Sequence, residues 1–257
     1  MKKKVLLISV DGMRPDGLQS CGNPFVQELE KRCSYTYHAQ TVFPSVTLPC
    51  HYSMAHSVTP QRPGILTNTY VPQVRPVEGI FEKVKAAGGM TAFFNSWDQL
   101  RDIAAPGILQ LGSYINYALH ESGDTALTRE AIRQLDAYRP DFAFLFLADT
   151  DNAGHKQGWM SGEYLRRISI AMDNIKQIFE KFSEEYTIMI MADHGGHDRT
   201  HGADIPEDMT IPLFFCGKAF TPGKQLGNIS LLDIAPTIAA VMDITPDPDW
   251  EGKALVD

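Results

Sequence analysis

Five short runs of continuous apolar residues constrain this chain more than any other feature: Val5 to Val10, Thr91 to Phe94, Phe142 to Leu147, Thr187 to Met191 and Ile211 to Phe215. They are rich in Ile, Val and Phe and do not alternate with polar residues, which is the pattern of strands buried on both faces. Helical patterns lie between them at Val77 to Ala87, Ala126 to Tyr138, Gly162 to Phe182 and Leu232 to Met242. That succession predicts an α/β layered fold around a mostly parallel sheet. The Pro- and Gly-spotted stretch from Pro60 to Pro76 and the looser region from Asp98 to Asp124 interrupt it. A small lid is therefore expected within 60–125 of a single domain covering 1–257.

A chain of 257 residues with 44% apolar content can bury a full core without staples. Its formal net charge of -8 argues against binding along a nucleic acid polymer, which requires clustered positive charge. Phosphate chemistry on so acidic a protein needs imported positive charge. No apolar stretch reaches the roughly 20 residues of a membrane span, since even the run from Ile229 to Ile244 is interrupted by Asp233 and Asp243. No membrane partner is expected. The opening Met-Lys-Lys-Lys leads into an apolar run that stops at Asp11 without a small-residue cleavage site, so it reads as a first strand rather than an export signal. Cys21, Cys33, Cys50 and Cys216 show no close-paired metal spacing and fit a reducing compartment, which makes the cytoplasm the expected location.

Three of the apolar runs end in carboxylates: Asp11 follows the first, Asp149 and Asp151 the third, and Asp193 the fourth. In an open parallel sheet these strand ends form one rim, where ligands bind. An Asp after a strand is ordinarily a turn residue or a helix cap. The imidazoles beside these particular residues favour another role: His155 is four residues from Asp151, His194 adjoins Asp193, and His201 follows in a Gly-rich loop. Asp with neutral His suits Zn²⁺ and related divalent ions, whereas a Ca²⁺ site uses oxygen ligands alone. If Asp151 and His155 open a helix, their spacing lets both face one ion. The adjacent pair Asp193 and His194 can share an ion only where the strand has ended, and Gly195-Gly196 supplies that ending.

The segment Phe43 to Met54 has the form of a loop entering a helix, with Thr47 placed as N-cap and Pro49 in the first turn. Capping alone would explain a Thr there. A hydroxyl at a helix N-terminus also sits in positive potential that favours an incoming phosphate.

At this point the sequence resembles the alkaline phosphatase superfamily, most closely its type I phosphodiesterase and nucleotide pyrophosphatase family. The resemblance rests on Ile8 to Asp16, Phe43 to Tyr52, Gly64 to Asn68, Asp151 to His155, Ala192 to Gly195 and His201-Gly202, with a C-terminal match from Leu232 to Ala239 and from Asp249 to Gly252. It implies an alkaline-phosphatase-like three-layer sandwich with two divalent metal ions, Zn²⁺ first and Mn²⁺ as alternative. Asp151, His155 and His201 would hold one ion and Asp11, Asp193 and His194 the other. Thr47 would bind the second ion and attack phosphorus. Many relatives carry an Asn three residues after that Thr, where this chain has Cys50, a poorer donor. The Leu48 N–H, supplemented by a side chain such as Asn68 or Asn95, is the replacement candidate for stabilising the phosphoryl oxygens.

The expected function is two-metal hydrolysis of a small phosphate ester through a phospho-threonine, with a phosphodiester or nucleotide pyrophosphate as substrate. A phosphomonoesterase would need extra positive charge, for which Arg14 and Arg199 are the only nearby candidates. A phosphonoacetate-hydrolase-like enzyme would need carboxylate-binding groups, and a sulfatase a modifiable Cys or Ser in place of Thr47. The reading from another class is a catalytically silent metal-binding protein. His38, His51 and His56 are expected to pack or face solvent, His197 to support neighbouring ligands, and Asp204, Glu207 and Asp208 to form a solvated surface.

Overall fold

The computed structural model describes residues 3–116 and 123–257. Among them, seven strands form one sheet: β1 (Lys4–Val10), β2 (Ser34–Gln40), β3 (Thr91–Asn95), β4 (Leu111–Tyr114), β5 (Phe142–Leu147), β6 (Tyr186–Met191) and β7 (Thr210–Cys216), in the spatial order β2-β7-β6-β1-β5-β3-β4. β6, β1, β5, β3 and β4 run parallel, and β7 is antiparallel to both its neighbours. The α/β, mostly parallel architecture is thus the one expected. The five continuous apolar runs became β1, β3, β5, β6 and β7. β5 is buried at every position and β1 at all but Lys4, because helices cover both faces.

On one face pack α1 (Pro15–Ser20), α2 (Phe25–Arg32), α5 (Gly123–Tyr138), α6 (Asp149–Gln157) and α7 (Gly162–Phe182). On the other lie α3 (Thr47–His56), α4 (Ile80–Ala86) and α9 (Ile234–Val241), with α8 (Pro206–Met209) being a single turn before β7. The long α7 owes its place to an apolar face formed by Tyr164, Ile168, Ala171, Ile175, Ile178 and Phe182, spaced by three, four or seven residues, and to Ser161, whose side chain accepts the Tyr164 N–H at its start.

The range 60–125, within which a small lid is expected, is partly regular structure. It contains α4, β3 and β4, which belong to the layers themselves. Irregular backbone is confined to about 60–79 and to parts of 96–110, and residues 117–122 of the expected lid lie outside the described residues.

Candidate metal centre and nucleophile

β6, β1 and β5 are adjacent in the sheet and end at the same level, with Val10 opposite Leu147 and Ser9 opposite Met191. Parallel pairing therefore delivers Asp11, Asp193 and the start of α6 to one rim. Gly12 makes the closest approach possible. It adopts φ +65, and a Cβ there would come 3.0 Å from Asp151 Oδ1. Its N–H donates to Asp193 Oδ1 at 3.1 Å, which ties the end of β1 to the end of β6.

Two clusters result, in each of which the ligand atoms lie within 4.8 Å of one another: Asp151 with His155 and His201, and Asp11 with Asp193 and His194. The second is fully buried, while the first opens toward solvent through His155. His194 Nε2 lies 3.3 Å from both Asp11 Oδ1 and Asp193 Oδ2. His155 Nε2 is 3.4 Å from Asp151 Oδ2, and His201 Nε2 is 3.7 Å from Asp151 Oδ1. α6 delivers Asp151 and His155 one helical turn apart on one face, as their spacing predicts.

The donor set fits divalent cations on two counts. Asp11 Oδ1, Asp151 Oδ1 and Asp193 Oδ2 are buried without any hydrogen-bond partner. An unpaired buried polar atom costs about 1–3 kcal/mol, more when charged, so three of them shared between the two clusters call for cations. The three imidazoles are also fixed in the ligand tautomer. Each uses Nδ1–H to donate to a backbone carbonyl, His194 to Gly195 at 2.8 Å, His155 to Arg199 at 3.0 Å and His201 to Ser45 at 2.8 Å. Each Nε2 lone pair is left aimed at the carboxylates.

The electrostatics agree. Burial, and then the neighbouring Asp193 and Asp151 carboxylates, hold Asp11 well above the usual carboxylate range. Burial lifts Asp151 to about 6, partly offset by His201 and His155. Burial opposes ionisation of Asp193 as well, but His194, His51 and the Gly12 N–H outweigh it and leave that carboxyl below its usual value. Desolvation lowers His194, and desolvation followed by His194 takes His201 down to about 4, so both rings are neutral at pH 7. Crowded carboxylates beside neutral imidazoles are the state that a bound cation stabilises.

Thr47 is the first residue of α3, not its cap. Val46 holds the N-cap position without a side-chain hydrogen bond. The freed Thr47 hydroxyl lies 3.1 Å from His194 Nε2 and, given the His194 tautomer, is the donor in that pair. Ser45 is turned away and donates to Ala203 O at 3.0 Å. The Leu48 N–H does not face open space, because it donates to Asn68 Oδ1 at 2.9 Å. This differs from a direct role for Leu48: the N–H instead orients Asn68, whose Nδ2 has no partner among the described residues. Cys50 is also withdrawn. Its fully buried thiol accepts from Thr41 Oγ1 at 3.3 Å and faces the Val42 and Pro44 carbonyls, and burial raises its pKa so that it stays protonated.

Several supporting groups escaped the sequence reading. Asp208, expected on a solvated surface, is wholly buried; its carboxylate accepts from His197 Nδ1 and from the Ala203 N–H, both at 2.8 Å, and so braces the loop that carries His201. The adjoining His197 was the available signal. His51 is also buried, binding Thr47 O at 2.8 Å and Ser9 Oγ at 2.9 Å. Tyr164 Oη donates to Gly12 O at 2.9 Å.

An α/β sheet that gathers acidic and imidazole groups beside a helix-start hydroxyl is the architecture of the alkaline phosphatase superfamily. A sequence profile described as type I phosphodiesterase / nucleotide pyrophosphatase matches residues 5–208, and the chain belongs to that family. It is 26% identical over 219 residues to ectonucleotide pyrophosphatase/phosphodiesterase family member 1 of Rattus norvegicus, covering 74% of this chain and 24% of that protein. It is 25% identical over 260 residues to Bis(5'-adenosyl)-triphosphatase enpp4 of Mus musculus, covering 93% of this chain and 54% of that protein. The chain thus spans between about a quarter and a half of these relatives. Among solved structures, murine ectonucleotide pyrophosphatase / phosphodiesterase 5, an inactive Thr-to-Ala variant in complex with AMP, superposes with a TM-score of 0.82 at 14% identity over 100% of this chain and 98% of that one. A phosphonate monoester hydrolase from Silicibacter pomeroyi gives 0.78 at 14% identity, over 99% and 76%. These superpositions establish the shared fold.

Proposed function

We propose that the chain is a metal-dependent hydrolase of phosphate esters that cleaves a phosphodiester or nucleotide pyrophosphate with Thr47 as nucleophile. The observation that carries this reading is the convergence of three unpartnered buried carboxylate oxygens and three Nε2 atoms beside the Thr47 hydroxyl. Asp151, His155 and His201 would hold one divalent ion and Asp11, Asp193 and His194 a second, with zinc the first choice for N and O ligands and manganese the alternative. Bound there, the ions supply Lewis-acid stabilisation of developing oxygen charge and favour ionisation of the hydroxyl.

The chain's own residues account for the rest. The Thr47 Oγ1–H proton passes to solvent, and Oγ1 bonds to phosphorus as the P–O bond to the leaving group breaks and that oxygen is released to take up a proton. Water then cleaves the phospho-threonine, returning the Thr47 hydroxyl and releasing the phosphate product. The start of α3 lends partial positive charge to the phosphoryl group. Asn68, its Oδ1 held by the Leu48 N–H, offers Nδ2 to a non-bridging oxygen.

The monoesterase reading lacks support from cations. Arg14 is committed to Asp16 and to Gly196 O, and Arg199 is exposed. The relative that carries a Thr-to-Ala change is described as inactive, and another is named for cleaving a dinucleoside triphosphate, which favours the same assignment here. The test compares metal-loaded wild type and Thr47→Ala on a phosphodiester, a dinucleoside polyphosphate, a phosphomonoester, a phosphonate and a sulfate ester. Wild type should prefer the first two. Thr47→Ala should keep its metal and lose on the order of 10³-fold or more in turnover. Undiminished turnover by the variant refutes the nucleophile, and preference for the monoester refutes the substrate class.

A further inference from the structure

Trp159 is not a ligand candidate, yet it touches the loops that carry the site. It follows α6 directly and is only 7% exposed. Its backbone N–H donates to Asp198 O at 2.8 Å, which welds the end of α6 to the loop bearing His194 and His201. Its indole Nε1–H donates to Gly12 O at 2.9 Å, reaching the loop after Asp11. The ring meets His155 edge-on, with centroids 5.1 Å apart, and His201 at 5.9 Å.

Two glycines on different segments open the slot that this ring fills. A Cβ on Gly154 would lie 2.7 Å from the indole, and one on Gly196 would collide with it outright. The slot is therefore built for a flat ring. His155 is tethered at Nδ1 by one hydrogen bond, about which its imidazole can still pivot, whereas His201, tethered likewise, is also stacked on His194 with centroids 3.9 Å apart. The indole lies against both rings and opposes that pivot most directly at His155, the nearer of the two.

We infer that Trp159 is the positioning residue of the outer cluster, holding His155 and His201 so that their Nε2 atoms share one cation with Asp151. The inference rests on the metal reading above. It concerns one cluster and not the other, because Gly12 O also receives the Tyr164 hydroxyl. Losing the indole leaves Gly12, and its N–H on Asp193, still anchored.

Two measurements test it. The chain has three tryptophans, so in a Trp97→Phe, Trp250→Phe background the emission reports Trp159 alone. Adding Zn²⁺ to chelator-stripped protein should change that emission in step with filling of the outer cluster; emission unaltered through full loading overturns the inference. In chelator competition, Trp159→Leu should release one ion about 10–100-fold more easily than wild type, a size typical of lost ligand support, while the other ion is retained. Trp159→Phe, which keeps a ring, should fall between, and it remains informative if the Leu variant fails to fold. A merely structural role would weaken both ions alike, and equal weakening or none counts against the inference. Wild type that retains no divalent ion defeats the metal reading itself, a result distinct from wild type and Trp159→Leu holding two ions equally well.

Discussion

Asn68 shows how one side chain can be set by another's backbone. Its Oδ1 accepts the Leu48 N–H, which orients the amide and leaves Nδ2 without a partner among the described residues. Asn68→Ala should lower kcat by about 10²–10³-fold, the usual loss for one donor to a developing oxyanion, with metal content unchanged; steady-state kinetics with metal analysis decides, and full activity would remove Asn68 from the mechanism. His56 yields a prediction of another kind. It is buried at the end of α3, stacked on Tyr52 at 3.9 Å with Nδ1 on Tyr52 O, and desolvation takes its pKa from 6.5 to about 4. Between those values the unfolded chain binds the proton and the folded chain does not, so stability is complete above pH 6.5 and falls as pH drops toward 4. The drop is worth about 3 kcal/mol. Denaturant titrations of wild type and His56→Gln from pH 7 to 4.5 should converge as pH falls; parallel curves would exclude the effect. Residue identities such as Asp193-His194 were legible from sequence because two ligand types beside a Gly-Gly ending have few other uses. The role of Asp208 was not, since its partner His197 lies eleven residues away and local pattern does not pair the two.

The helix that carries Asp151 and His155 has no cap of its own. Ala148 occupies its N-cap position, and the first N–H groups are satisfied from a distance: Asp124, at the start of α5, accepts the Ala148 N–H with Oδ1 and the Asp149 N–H with Oδ2, both at 2.9 Å. Asp124→Ala should therefore cost about 1–2 kcal/mol, as for loss of a local cap, and should loosen α6 before any other element. Hydrogen exchange in α6 is the check, and protection equal to wild type would show that the cap is dispensable. The same scale explains what sequence could and could not find. Continuous apolar runs located β1, β3, β5, β6 and β7, all five of which lie in the interior with β1 at the centre. β2 and β4 were missed because they are the sheet's two edges. β4 alternates between half-buried and exposed positions, and β2 carries His38 and Gln40 outward, so neither forms an apolar run. Thr47 was displaced by one position for a similar reason: a helix start is fixed by backbone dihedrals, and Val46 at φ -126, ψ 141 is extended, leaving Thr47 inside the first turn.

At the scale of the molecule, the cost of the site and the acidity of the chain meet. The net charge of -8 is general, but the buried clusters place three carboxylates against one another where water cannot screen them. The core around them runs through six of the seven strands, all but the edge strand β4, so this repulsion acts on the whole fold rather than on a detachable loop. Divalent ions that bind the folded chain and not the unfolded one stabilise it by about 4 kcal/mol at a thousandfold excess over Kd. For a chain of this size each kcal/mol moves the melting temperature by roughly 2–4 °C. Chelation should consequently lower Tm by about 8–16 °C for each ion removed, and zinc or manganese should restore it, whereas Ca²⁺, which prefers all-oxygen ligands, should not. Calorimetry of stripped and reloaded protein measures this directly. A melting temperature indifferent to chelator would mean that the fold tolerates its unpaired carboxylates without cations, and the reason for gathering them at the rim would have to be sought elsewhere.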